Sequence, residues 1–159
     1  MSITIRAAER TDSATILGFV RELAAFEREP DAVVATEPML AAAFFGERPA
    51  AEAVIAERDG EPVGFALFFA NFSTWTGRQG LYLEDLYVTP AARGAGVGKA
   101  LLVHLAGIAR DRGWARFEWS VLDWNMPAVE FYRAMGAQAM DEWTVQRVSG
   151  EALERLAGR

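Results

Sequence analysis

Residues 81–100 restrict the fold more than any other stretch: Leu81-Tyr-Leu-Glu-Asp-Leu-Tyr-Val88, then Thr89-Pro90-Ala91-Ala92, then Arg93-Gly94-Ala95-Gly96-Val97-Gly98-Lys99-Ala100. Alternating large apolar side chains in the first part predict a pleated strand. Pro90 has no N–H to give a ladder, so the strand ends before it. Gly94, Gly96 and Gly98 then recur at every second position, and Leu101, Leu102, Leu105, Ile108 and Ala109 follow at helical spacing up to Gly113. A glycine loop running into a helix presents unpaired N–H groups and the positive end of the helix dipole. That combination suits an anion, most naturally a pyrophosphate.

A Walker loop does not fit, because Arg93 and Ala100 fall where Gly and Ser/Thr are required. A dinucleotide fingerprint needs G-x-G-x-x-G, whereas the glycines here are spaced G-x-G-x-G. A glycine-rich turn that binds nothing would lose helix stability with no packing gain. The coenzyme A loop, R-G-x-G-x-G/A preceded by V-x-P-x-x-R, is met by Val88, Pro90, Arg93, Gly94, Gly96 and Gly98. With that loop the chain resembles the GCN5-related N-acetyltransferases (GNAT). Arg21-Glu-Leu-Ala-Ala-Phe-Glu27, Phe45-Gly-Glu-Arg-Pro49, Tyr82-Leu-Glu-Asp85 and Trp124-Asn-x-Pro-Ala-x-x-Phe-Tyr132 extend the resemblance to the diamine (spermidine/spermine) and thialysine acetyltransferase branch.

The chain of 159 residues is expected to form a single domain, residues 1–159. No apolar run is long enough for a transmembrane helix, and the N-terminus lacks a signal-peptide pattern, so no membrane partner and a cytoplasmic location are expected. There is no Cys and one His, His104, so neither a disulfide nor a metal site is expected. A net charge of −6 speaks against nucleic acid as a partner and is compatible with cationic small molecules.

Ile3–Ala7 reads as a first strand. Thr11 or Asp12 caps a helix with Ile16, Leu17, Val20, Leu23 and Ala24 inward, and Thr36 caps a second with Leu40, Ala43 and Phe44 inward. Residues 53–57 and 63–69 read as a hairpin about Asp59-Gly60. Trp75 falls near a loop tip and is assigned to packing; His104 is assigned a structural place on its helix. Phe117, Trp119 and Val121 alternate in a further strand, which is expected to open a cleft against residues 81–88. Pro127 starts a helix that stops at Gly136, residues 138–148 read as a last strand, and Ser149 caps a short helix with Leu153 and Leu156 inward. The order is β-α-α-β-β-β-α-β-α-β with a short C-terminal helix, an α/β fold with a GNAT-like mixed central sheet flanked by helices.

The resemblance implies acetyl-CoA as cofactor, a small primary amine as acceptor and a homodimer. Acetyl transfer to an amine needs a base for the amine proton, a donor for the carbonyl oxygen and an acid for the thiolate. Glu84 is the candidate base and Tyr132 the candidate acid; a phenol with a pKa of about 10 is protonated at neutral pH. The cofactor-binding candidates are Leu86, Tyr87 and Val88 through their main chain, the loop Arg93, Gly94, Ala95, Gly96, Val97, Gly98 and Lys99, and Asn125, Pro127, Ala128 and Arg133. Phe26, Glu27, Glu84, Asp85 and Glu142 are the substrate-side candidates; the branch commonly has Tyr at the place of Phe26. With no Cys, direct attack in a ternary complex is favoured over an acetyl-enzyme. An amino acid, peptide or drug amine as acceptor, and a non-catalytic acyl-CoA sensor, are the alternative readings.

Overall fold

The computed structural model describes residues 2–158. Among these, five strands form one sheet in the order β1-β2-β3-β4-β5. They are β1 (Ile3–Ala7), β2 (Glu52–Arg58), β3 (Glu61–Ser73), β4 (Arg78–Val88) and β5 (Phe117–Trp119). The first three pairings are antiparallel and β4 with β5 is parallel. The helices are α1 (Ser13–Phe26), α2 (Glu37–Phe45), α3 (Val97–Asp111), α4 (Met126–Ala134) and α5 (Gly150–Leu156). The chain divides into two compact units, one ending at Ser120 and one beginning at Val121. The first holds the sheet with α1, α2 and α3. The second holds α4 and α5.

The sheet buries both faces. Ala53, Ile55, Phe65, Leu67 and Tyr87 form one core with Ile16 and Phe19 of α1, and Leu40 and Phe44 of α2 pack against it. The Phe19 and Phe65 rings stack with centroids 5.7 Å apart. Val54, Ala56, Ala66 and Phe68, the alternate residues, are buried on the other face. Helix α3 buries Val97, Leu101, Leu102, Leu105 and Ala109, the helical repeat read from the sequence. Gly113, with φ 72°, closes α3: Gly113 donates to the Arg110 carbonyl and Trp114 to that of Ala109. Asp59 (φ 53°) and Gly60 (φ 85°) both take the left-handed conformation that a tight hairpin turn demands. Thr36 caps α2, its Oγ1 accepting from the Met39 N–H.

The ladder of β2 to β3 ends at Glu52–Phe68, whereas β3 continues with β4 to Ser73. The outer half of the β3–β4 hairpin therefore has no β2 neighbour.

Several expectations are corrected. The strand at Phe117 stops at Trp119, so Val121 lies outside it. Residues 138–148 form no strand; alternation supplies strand propensity, but no other described strand pairs with them. Leu153 and Leu156 of α5 are 50 % and 74 % exposed rather than inward, and Trp75, near the hairpin tip, is 80 % exposed. Asp12 stands at the N-cap of α1 but does not cap it with its side chain. Its carboxylate instead accepts from Arg6 at 2.7 and 2.9 Å and from the Glu9 N–H at 2.7 Å. Arg6 also reaches Glu57 at 3.3 Å, which ties β1 to β2 and to the start of α1.

The Arg6 hydrogen bonds hold the Asp12 carboxyl below the usual carboxylate range, against the opposing effect of burial. A depressed carboxyl pKa stabilises the fold above the unfolded-state value of about 3.9, and that contribution is lost as pH falls through the folded value. Asp12→Asn is expected to lower stability at pH 7 by about 1.5–3 kcal/mol. Urea denaturation should find a smaller difference from the wild type at pH 3, where the native pair is itself being protonated.

Candidate active site

The site begins with a register slip. Leu67 of β3 pairs with Asp85 and Phe68 with Leu83, so Glu84 is an extra residue in β4, a β-bulge. The ladder to β5 runs from Leu81–Phe117 to Leu83–Trp119 and stops there, while β4 stays paired with β3 to Val88. From Glu84 onward β4 therefore has a free side. Thr89 donates to the Val63 carbonyl, and Leu81 donates to that of Arg116. Strand alternation from these two bonds points the main-chain groups of Asp85 and Tyr87 at β3 and those of Leu86 and Val88 at the free side. Leu86 through both its main-chain groups and Val88 through its N–H can thus pair with an extended ligand, while the Val88 carbonyl accepts from Arg93. Tyr87 instead pairs with Phe65, and its side chain enters the core 5.9 Å from Phe19.

Beyond Val88 a 3₁₀ turn, Pro90–Ala92, anchors the loop through fully buried Ala92. Gly94 has φ 83° and Gly96 φ 81°, while Ala95 between them is not left-handed. This alternation turns successive N–H groups towards one concavity, an anion-binding arrangement. A Cβ on Gly94 or Gly96 would meet nothing within 4 Å, so the backbone conformation, not crowding, calls for glycine there. Gly96 is the N-cap of α3 and offers no side-chain cap. The first N–H groups of α3, from Val97, Gly98 and Lys99, are thus left for a ligand. Lys99 is exposed in this turn. The loop fits a pyrophosphate. Arg93 is differently placed: its Nε donates to the Val88 carbonyl at 3.0 Å, and its guanidinium carbon lies 5.4 Å from the Phe26 ring and 5.7 Å from that of Tyr87.

Helix α1 brings the acceptor-side candidates to this region. It ends at Phe26, with Arg28 donating to the Ala25 carbonyl and Glu29 to that of Ala24, a closure that holds Arg28 at φ 67°. Burial raises the Glu27 carboxyl above its usual range. Asp85 is not the solvated charge that a strand-surface acid would be. Burial, then the charges of Glu84 and Glu27, push its pKa up to about 6. Glu27, far from Asp85 in sequence, is therefore close enough to act on it, as is the neighbouring Glu84. Among the described residues no group of His, Asp or Glu is arranged to hold a metal ion.

The second unit holds the remaining candidates. Asn125 caps α4, its Oδ1 accepting from the Ala128 N–H at 3.4 Å, and Pro127 stands in the first turn. Ala128, Tyr132 and Arg133 follow on α4, and the chain turns at Gly136 with φ 99°. Tyr132 is half-buried, with its ring 5.6 Å from that of Phe131. Asn125 thus uses its carbonyl oxygen within the helix cap. Glu142 is exposed in the segment between α4 and α5.

The acetyltransferase (GNAT) family profile matches residues 18–137. The chain belongs to the GNAT acetyltransferase family. It is 41 % identical to thialysine N-epsilon-acetyltransferase of Sus scrofa over 99 % of each chain. It is 32 % identical to an L-ornithine N5-acetyltransferase of Arabidopsis thaliana, over 96 % of this chain and 86 % of that one. Among solved structures, an integron cassette protein of V. cholerae superposes with a TM-score of 0.83 at 29 % identity, over 100 % of this chain and 99 % of the other. The protein is an N-acetyltransferase, and the α/β fold with a mixed sheet is that of its family.

For this GNAT enzyme the sequence led to the glycine loop and to the three acids but not to the bulge that groups them. A raised Asp85 pKa means that the folded protein holds a proton that the unfolded chain has lost between pH 4 and 6. Stability therefore falls as pH rises through that window. Asp85→Asn should raise Tm more at pH 8 than at pH 4. Carboxyl NMR of the wild type should show a midpoint near 6 for Asp85, and Glu84→Gln should lower it by removing a like charge.

Proposed function

We infer that this GNAT enzyme takes the acetyl group from acetyl-CoA and passes it to a small primary amine that carries a second cationic group, such as a diamine, a polyamine or a thialysine-like amino acid. The observation that carries the acceptor assignment is the carboxylate group Glu27, Glu84 and Asp85: burial first, and then the charges of Glu84 and Glu27, raise the proton affinity of Asp85. Bringing a cation into such a group relieves their mutual repulsion, and the poorer the solvent screening the larger the gain. The relatives named for thialysine and L-ornithine, both amines with a further ionisable group, favour the same reading.

Bound acetyl-CoA supplies the acetyl group as a thioester. The loop from Gly94 to Lys99 holds its pyrophosphate through main-chain N–H groups, and Leu86 and Val88 pair with the amide-bearing arm along the free side of β4. In the second unit Pro127, Ala128 and Arg133 of α4, with the amide nitrogen of Asn125, are the cofactor-binding candidates. Glu84 accepts the proton of the attacking ammonium, directly or through water, so that nitrogen attacks as a neutral amine. Asp85, with its pKa near 6, is a second candidate for this role because its proton affinity lies closer to the working pH. Tyr132 donates a proton to the departing thiolate. Glu27 holds the distal ammonium, with Phe26 as an apolar wall; in the second unit Glu142 is the candidate for that role. The family match runs across the boundary of the two compact units, which favours one catalytic domain made of both. A cytoplasmic homodimer completes the proposal.

Labelled acetyl-CoA offered with diamines, polyamines, thialysine, lysine and neutral monoamines tests the acceptor class. Diamines or thialysine should lead; preference for neutral amines would overturn that class while leaving acetyl transfer in place. Glu27→Gln should raise KM for a diamine more than for a monoamine of matched pKa. Tyr132→Phe should lower kcat by about 10²–10⁴-fold with little change in cofactor affinity. Gly96→Val, which forces a β-branched residue to a φ of 81°, should weaken CoA binding at least about tenfold in calorimetry while the exposed loop leaves the fold intact.

A further inference from the structure

Arg93 stands where a phosphate ligand is expected, yet its contacts run the other way. Its Nε donates to the Val88 carbonyl, which holds it at the end of β4. Its guanidinium carbon lies within 6 Å of two ring centroids, 5.4 Å for Phe26 and 5.7 Å for Tyr87. A planar, weakly hydrated guanidinium suits such stacking, and an ammonium does not. Tyr87 is buried in the main core and cannot shift. Phe26 is 45 % exposed and is the last residue of α1, directly before Glu27. Arg93 therefore joins one fixed ring and one adjustable ring, and the adjustable ring is attached to the acceptor-side carboxylate.

We propose that Arg93 and Phe26 form a brace through which occupation of the cofactor loop fixes the C-terminal turn of α1 and the position of Glu27. The proposal rests on the reading of residues 94–99 as the CoA cradle. Arg93 is the residue before Gly94, so an anion that pins Gly94 to Lys99 also removes freedom from Arg93. Arg93 then presses a fixed cation against Phe26. In this arrangement Arg93 and Phe26 are positioning residues, acting on the acceptor through Glu27. By reciprocity, an acceptor held by Glu27 strengthens cofactor binding by the same factor.

The size of the effect follows from the interaction. A cation–π contact at a part-exposed site is worth about 0.5–1 kcal/mol, which is about a two- to fivefold change in an equilibrium constant. The amides of Glu27, Arg28 and Glu29 donate to the Leu23, Ala25 and Ala24 carbonyls, so their hydrogen exchange reports opening of this helix end.

The test is amide exchange by NMR with and without saturating CoA, with chemical shifts of residues 94–99 read in the same samples. In the wild type, CoA should shift the loop amides and slow exchange at residues 27–29 by about two- to fivefold. Phe26→Leu keeps an apolar, helix-compatible side chain without a ring and should abolish the protection, as should Arg93→Lys. Phe26→Tyr keeps the ring and should retain it. A merely structural Phe26 would change exchange equally with and without CoA. Loop shifts without protection at 27–29, or protection undiminished in Phe26→Leu and Arg93→Lys, would overturn the brace and leave the cradle standing. CoA that leaves the loop amides unshifted would instead overturn the cradle, and the brace with it.

Discussion

The site depends on one unpaired residue. Glu84 has no partner across β3, and the parallel pairing of β4 with β5 ends one residue before it. A sheet with full ladders would satisfy all main-chain groups of β4 internally and leave nothing for a ligand. The bulge instead frees the main chain of Leu86 and the N–H of Val88, while β3 continues to hold the strand rigid through Val88. The same extra residue exchanges the faces of β4. Leu81 and Leu83 point to one side, and Asp85 and Tyr87, two positions further by parity, point to the side of α1. That exchange puts an acid near the end of the helix that carries Glu27.

The electrostatics follow from this geometry. Asp85 is partly buried on the face of the sheet where Tyr87 enters the core, and it feels two further carboxylates. The cradle at Gly94–Gly96 is the opposite case. There the protein supplies unpaired N–H groups and a helix dipole, and an anion is the natural complement. One short stretch of chain, residues 84–99, thus carries a cation-seeking and an anion-seeking region. A reaction joining an ammonium substrate to a phosphate-bearing donor needs both.

Much of this was legible in the sequence, because the signals were local. Pro90, the glycine spacing and the 3.6-residue repeat of α3 each follow from what the backbone permits, and the Asp59-Gly60 hairpin follows from two left-handed residues in succession. The bulge was not legible. Large apolar side chains fill both parities on either side of Glu84, at residues 81–83 and 86–88, so periodicity does not mark the change of face. Arg93 was read as a phosphate ligand from its place in the motif, whereas its ring contacts depend on α1, distant in sequence. The strand expected at residues 138–148 failed for a related reason: alternation describes a strand's faces but cannot supply the neighbour that it must pair with.

The long β3–β4 hairpin divides into two regimes at Phe68. Below it, β3 lies between β2 and β4; above it, Phe69–Ser73 leans on β4 alone, and the carbonyl and N–H groups of Ala70 and Phe72 point away from that partner. On the other side of β4 the ladder to β5 covers Leu81–Leu83, and Ala115 donates to the Gln79 carbonyl, so only the tip, residues 73–78, has neither β2 nor β5 beside it. A two-stranded ribbon in water is marginal by itself. That tip, with Trp75 exposed, is therefore the part of the sheet that frays first under thermal agitation. Fraying from it meets a three-stranded region at Gln79–Leu81, where β5 joins. Glu84 lies beyond the whole β5 ladder, so the bulge is insulated from a restless end of the molecule although it belongs to the same strand.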